Sequence, residues 1–422
     1  MELELAYGRQ GLRVELPDEV TVIEPRFVAG LEDERGAIVE ALRAPIGTAP
    51  LGEMVRPDDT VAIVFSDLTR PMPNDRVLPV LLDEIAAAGV PDEQVTLING
   101  LGTHRAQTRA ELEEMLGAEV VARYLVVQHD AGHDQNLVEV ARNSAGTPVK
   151  VNQAYVNASF RILTGFIEPH LFAGFSGGPK AVLPAIAGAE AILDNHGPEM
   201  LVDPKATWTV TCGNPLWEEM LRVAKATEPD FLLNVTLNQK REITGVFAGE
   251  MEAAHARGCE FVRGTAVQEV PEAFDVVITS NSGYPLDLNL YQAVKGMSAA
   301  ALIVKPGGDI VVAAECWDGI PDHGEYKRML WEADSVEELL ARVTAPGFRC
   351  LDQWEAQIQG QVQRKARVHV YADGLSDEEL RRALVIPCRS IEETVAAIRA
   401  AKPGATIAVL PDGPQTVPVV SG

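Results

Sequence analysis

Short apolar runs alternate with helix-period patterns along most of this chain. The opening stretch LELAYGRQGLRVEL alternates apolar and polar positions and turns between Gly8 and Gly11, which predicts a hairpin. TVAIVFSD (60–67) predicts a strand, followed by a helix near 75–88 with Asn74 as its N-cap and Gly89 just past its end. QVTLING (94–100) predicts the next strand, and Thr108-x-x-Glu111 has the spacing of a capping box that opens the following helix. RYLVVQHD and FRILTGF continue the series. A second series begins near 273 with DVVITSNS, then ALIVKPGGDIVVAAE, whose Lys305-Pro-Gly-Gly turn predicts a hairpin, then SVEELLARV and IEETVAAIRAAKPGATIAVLP. Strands alternating with helices define an α/β fold class, here two domains with mostly parallel, helix-covered sheets. The boundary is expected near 270, giving domains 1–270 and 271–422, with the last segment of the second free to pack back on the first. Ligands of open α/β sheets sit beyond the carboxyl ends of strands, so the site is expected in the cleft between the domains.

Composition narrows the function. A chain of 422 residues with 46% hydrophobic and 23% charged residues has the make-up of a globular protein with two cores. It has no apolar run long enough to cross a membrane, and MELELAYGRQ has neither the basic start nor the apolar stretch of a signal peptide; a cytoplasmic protein without membrane contact is the expectation. The five cysteines are scattered without a C-x-x-C pair, which argues for reduced thiols rather than a disulfide frame or zinc site. A formal charge of −25 makes nucleic acid an unfavourable partner and repels small anions at long range. An anionic ligand would therefore need local cations at its site.

Three glycine- and proline-punctuated loops follow predicted strands. SDLTRPMPND places Asp67, Thr69 and Arg70 where side chains face a ligand crevice. Arg70 suits a carboxylate or phosphate, although an Asp67–Arg70 pair that only ties the loop down fits the pattern equally. NGLGTHR resembles a dinucleotide fingerprint, but Arg105 stands where the third glycine belongs; what remains is His104, a base or a surface histidine. GFSGGPK resembles a phosphate loop, but Pro179 and Ala181 break that motif. Ser176, Gly177 and Gly178 still offer backbone N–H groups to a phosphate, with Lys180 as counter-charge or nucleophile and His170 upstream. His196, in LDNHG, has no histidine within four residues, so it could ligate a metal only if a cofactor supplied the other ligands. His129 and His133 have metal-like spacing in QHDAGHD, but the intervening glycine disfavours a helix and a structural reading is preferred. Tyr291 and Lys295 share one face of a predicted helix, which is also what an ordinary amphipathic helix would show.

Taken together, SDLTRP (66–71), GTHR (102–105), PHLFAGFSGGPK (169–180), DNH (194–196) and YQAVK (291–295) resemble, in order and spacing, the nickel-pincer-dependent lactate racemases and related 2-hydroxyacid racemases and epimerases. The resemblance implies that Lys180 holds covalently a nickel-pincer nucleotide, a pyridinium-3-thioamide-5-thiocarboxylic acid mononucleotide with Ni(II), through a thioamide linkage. His196 would be its one protein ligand to nickel, in a square plane. Asp67, Thr69 and the Ser176–Gly178 turn would bind the cofactor, the turn holding its phosphate. His104 and His170 would be the acid–base pair, one for each enantiomer. Arg70 and Lys295 would hold the substrate carboxylate, and Tyr291, Gln292 and Trp354 would line the pocket. The implied reaction is racemisation of lactate or another short-chain 2-hydroxy acid by proton-coupled hydride transfer to the cofactor through a 2-keto acid. Proteins that make the cofactor would be transient partners. An epimerase of a larger hydroxy acid is the main alternative. A non-catalytic anion- or nucleotide-binding protein and an NAD-dependent dehydrogenase are the others; His104, His170 and Lys180 argue against the first, and Arg105 against the second.

Overall fold

The computed structural model describes residues 1–322 and 324–421. The chain divides into two compact units: Phe27–His196 with Asp203–Arg263, and Met1–Arg26 with Gly197–Val202 and Gly264–Gly422. The boundary near 263 lies beside the expected 270. However, the first 26 residues belong with the C-terminal half, and the chain leaves the first unit at His196 for six residues. No sequence pattern signals either excursion, because both are set by where the segments pack.

The unit built on Phe27–His196 and Asp203–Arg263 carries a six-stranded sheet in the order Ile243–Gly249, Phe231–Leu237, Phe160–Phe166, Val61–Ser66, Val95–Gly100, Leu125–Gln128. All pairs are parallel except the edge strand Ile243–Gly249. Its central strands are apolar on both faces, as a helix-covered parallel sheet requires. The strand order reverses between Val61–Ser66 and Phe160–Phe166, so the loops after these two strands flank a topological switch point. Those loops carry SDLTRP and PHLFAGFSGGPK.

In the other unit the order is Ile386–Pro387, Arg367–Tyr371, Val304–Ala313, Phe274–Ser280, Ile407–Leu410, Thr21–Val22, with every pair parallel. The N-terminal hairpin forms as expected, Glu2–Leu5 against Leu12–Glu15. Its buried Leu5 and Val14 join a core with Val276, Ile278, Val311 and Val409.

Local chemistry explains where the elements start and stop. Thr108 and Glu111 make the reciprocal capping box at Arg109–Leu116. Gly89 follows the C-cap of Asn74–Ala87 with φ +94. Asn74 is not the N-cap of that helix; Pro73 is, and the Asn74 amide donates to Ser66 O at 2.9 Å, pinning the loop instead. The expected hairpin at Lys305-Pro-Gly-Gly is absent. Val304–Ala313 is one strand whose register against Phe274–Ser280 jumps from Phe274↔Val304 to Val276↔Asp309. The Pro-Gly-Gly residues bulge out, and Lys305 binds Asp275 at 3.1 Å. Among the described residues, no helix is long and apolar enough to cross a membrane.

Candidate active site

At the switch point of the first sheet, Asp67 follows the strand Val61–Ser66 and is 2% exposed. Its Oδ2 accepts a short hydrogen bond from Nδ1 of His104, which comes from the loop after Val95–Gly100. Oδ1 accepts from the Thr69 N–H at 3.1 Å and the Thr69 hydroxyl at 2.7 Å. Burial pushes the Asp67 carboxyl up, but the His104 ring and its hydrogen bond, with Arg70 and Thr69, outweigh it and hold the group below its usual range. With Nδ1 bonded to the carboxylate, the lone pair of a neutral His104 ring falls on Nε2. Asp67 and Thr69, expected to bind a cofactor, are thus placed to orient His104. Arg105 is bound to Glu111 at 2.6 Å and belongs to the helix cap rather than to this cluster.

The strand Phe160–Phe166 leads into a small antiparallel ladder, Pro169–His170 against Gly174–Phe175. The turn of this ladder buries Phe172, 3% exposed, and three sequence-predicted residues gather around its ring. The His170 ring lies edge-on at 4.6 Å, the His196 ring edge-on at 5.1 Å, and Lys180 Nζ is 5.7 Å from the ring centroid. Nδ1 of His170 accepts from the N–H groups of Phe172 and Ala173 at 3.5 and 3.4 Å, which leaves the proton of the neutral ring on Nε2. His196 is 4% exposed; burial, helped by the Lys180 charge, pushes its imidazole down to about 3, so it is neutral at physiological pH. A neutral imidazole is the form that ligates a metal.

The two clusters are tied together. Gly102, two residues before His104, donates its N–H to Ala185 O at 2.9 Å, and Ala185 donates to Lys180 O at 3.2 Å.

Two of the three N–H groups of the Ser176–Gly178 turn, expected to hold a phosphate, are bonded within the protein. Ser176 N–H goes to Glu168 O and Gly178 N–H to Asn234 Oδ1, each at 2.9 Å. The Ser176 hydroxyl donates to Phe166 O at 3.0 Å and accepts the Glu168 N–H at 2.9 Å. The glycines serve packing: both have positive φ, and a Cβ on Gly177 would lie 2.7 Å from Asn234 Oδ1.

His129 is a structural residue, as preferred. It is 3% exposed, its Nε2 donates to Ala187 O at 2.9 Å, and no group of three or more metal-binding side chains occurs among the described residues. His196, a neutral buried imidazole, and the Lys180 amine, both beside the Phe172 ring, are residues of the kind that a metal held mainly by a cofactor would need.

The remaining predicted residues lie on the other unit. Tyr291, Gln292 and Lys295 are on the helix Leu290–Ala301, which follows the switch-point strand Phe274–Ser280. Asn289 caps that helix by accepting the Gln292 N–H at 3.1 Å. Trp354, on Gln353–Lys365, donates its indole N–H to Tyr291 Oη at 2.8 Å, so these two are joined. Gln292 is buried, and its Oε1 has no hydrogen-bond partner among the described residues. Near the carboxyl ends of the same strands opens a cavity of about 620 Å³ lined by Tyr7, Arg9, Tyr284, Glu315, Trp317 and Asp373, among others.

Sequence reasoning missed Phe172, Asn234 and His255. Phe172 sits inside the recognised motif, but nothing linear shows which rings meet around it. Asn234 did leave a signal, as the one amide in the otherwise apolar strand FLLNVTL.

The switch-point loops of this α/β sheet thus gather a carboxylate–histidine pair and a lysine–histidine cluster where ligands of such sheets bind. The comparisons place the chain. The family model of the lactate racemase N-terminal domain matches residues 7–209, and that of the lactate racemase C-terminal domain matches 269–419. The lactate racemase of Thermoanaerobacterium thermosaccharolyticum is 35% identical, over 98% of this chain and 98% of that one. The lactate racemase of Lactiplantibacillus plantarum is 32% identical, over 97% and 98%. The structure of the apoprotein from the Thermoanaerobacterium species superimposes with a TM-score of 0.93 at 34% identity, covering 100% of both chains. A Thermotoga maritima protein shares the fold, with a TM-score of 0.71 at 18% identity, covering 93% of this chain and 100% of that one. This chain belongs to the lactate racemase family, and so to the isomerases.

Proposed function

We propose that the protein racemises lactate or another short-chain 2-hydroxy acid with a nickel-pincer nucleotide bound at Lys180 and His196. The observation that carries this reading is the arrangement of His170, His196 and Lys180 around one buried ring, Phe172, on a loop tied to His104. Lys180 would anchor the cofactor and His196 would ligate its metal. When bound, the cofactor supplies the acceptor for the hydrogen on C2 as a hydride.

The chain's own residues handle the protons and the carboxylate. His104, oriented by Asp67, presents a lone pair at Nε2 and takes the hydroxyl proton of one enantiomer. His170 would return a proton to the oxygen from its imidazolium form when the other enantiomer forms, and so end as the neutral ring. In each direction one ring would be the neutral base and the other the imidazolium acid, and the roles exchange in the reverse direction. Arg70 and Lys295 supply the cations that a carboxylate needs on a protein of charge −25. Tyr291, joined to Trp354, and Gln292 line the substrate pocket in this reading. Its partners are the hydroxy acid and, transiently, the proteins that make the cofactor. A cytoplasmic setting accords with five unpaired cysteines, and the acidic charge disfavours nucleic acid.

The test is the intact mass and metal content of protein from a host that makes the cofactor, followed by a panel of single-enantiomer hydroxy acids. A cofactor-sized mass on Lys180, about one nickel per chain and conversion of either lactate enantiomer to the racemate are expected. An unmodified chain, from a host that loads a known relative, would overturn the reading.

A further inference from the structure

Beneath the Gly177–Gly178 turn lies a buried group that the reaction does not use. His255, on the helix Met251–Ala266, is 2% exposed, and its Nε2 lies 2.9 Å from the Ser176 carbonyl oxygen. A carbonyl only accepts, so Nε2 carries the proton and Nδ1 is left as acceptor for the Cys259 thiol, 3.3 Å away and one helical turn on. The Trp217 indole stacks on the ring at 4.9 Å with planes 25° apart, which fixes its tilt. From the other side, Asn234 Oδ1 accepts the Gly178 N–H at 2.9 Å. The fit is tight, since a Cβ on Gly178 would lie 2.5 Å from His255 Cδ2. The turn is therefore clamped between a histidine and an asparagine, and Lys180 leaves that clamp on the short helix Gly178–Ala181.

We propose that His255 and Asn234 are positioning residues that set the conformation of the turn from which Lys180 extends its amine beside Phe172 and His196. The loop reads like a phosphate cradle because it is glycine-rich, but its glycines are there to admit this clamp. The device acts on presentation of the lysine and so on cofactor loading. It rests on the reading that Lys180 carries the cofactor.

The test compares wild type, His255→Leu, His255→Gln and Asn234→Ala, using two measurements on folded protein. One is the fraction of chains bearing cofactor mass at Lys180 after production in a loading host. The other is the rate at which an amine-acylating reagent labels Lys180 in protein made without cofactor, mapped by mass spectrometry. His255→Leu and Asn234→Ala should lower loading at least about tenfold and change the labelling rate of Lys180, leaving other lysines unaffected. His255→Gln, which keeps an N–H donor of similar reach, should restore most of both. Wild-type loading and labelling in folded His255→Leu would overturn the proposal, as would a glutamine variant no better than leucine. Should the leucine variant not fold, Asn234→Ala decides by the same criteria. An unloaded wild type would instead overturn the cofactor reading, and the labelling experiment would still decide the role of the clamp.

Discussion

The two sheets of this protein share a plan and differ in what stands at their carboxyl ends. Each has six strands, mostly or wholly parallel, with a reversal of strand order next to the strand whose loop matters most. At the end of the first sheet the loops present titratable groups: Asp67 on His104, and Lys180 with His196 and His170 around Phe172. At the end of the second stand a tyrosine–tryptophan hydrogen bond, a buried amide and a lysine on a helix, with a separate cavity lined by Arg9, Glu315 and Asp373 among others. In the proposed reading the same backbone plan would carry proton and cofactor chemistry in one place and ligand-holding groups in the other. Architecture supplies the location, and loop residues supply the chemistry.

Exchanging lysines gives the largest contrast. Lys180→Ala should eliminate the attached cofactor mass and all turnover, whereas Lys295→Ala should keep the attached mass and raise KM at least about tenfold, read by mass spectrometry and initial rates. Loss of attachment in the Lys295 variant would erase the distinction between the two regions.

Next in size is the carboxylate–histidine pair. Asp67→Asn should leave loading intact and lower kcat by roughly 10²–10⁴-fold, the range that a positioned acid–base group contributes. A cofactor-binding Asp67 would lose loading instead.

Phe172→Ala should then cost about 3–5 kcal/mol in denaturant unfolding, since it empties a buried aromatic site and releases three functional side chains. Tyr291→Phe, which removes only the acceptor of the Trp354 indole, should cost about 1 kcal/mol. Equal costs would show that the ring at 172 does no more than an ordinary core contact.

The smallest effect is a slope with pH. Burial, opposed by the Ser176 carbonyl, pushes His255 down to about 4, below its ordinary value near 6.5. Between these values the unfolded chain binds a proton that the folded chain refuses. Stability should therefore fall as pH is lowered from about 6.5 to about 4, by at most about 1.4 kcal/mol per pH unit from this residue. His255→Gln should flatten that part of a melting-temperature profile, and an unchanged slope would mean that the buried ring is not the cause.

Much of this was legible in the chain because period and punctuation are local. The apolar runs VAIVFS and FRILTGF, the Thr108–Glu111 box and Gly89 each depend on neighbours a few residues away, so the parallel α/β plan and its loops followed from the sequence alone. So did the family, because its motifs survive as short strings. Tertiary structure decided what those strings do. Asp67, expected to bind the cofactor, meets a histidine 37 residues away. Two N–H groups of the glycine turn, those of Ser176 and Gly178, found partners in Glu168 and Asn234. Lys305-Pro-Gly-Gly became a bulge because the strand Phe274–Ser280 holds both of its flanks. In each case a hydrogen-bonding group took whichever partner the fold brought near. Sequence determines which groups are present and the elements that carry them, but only packing determines which groups meet.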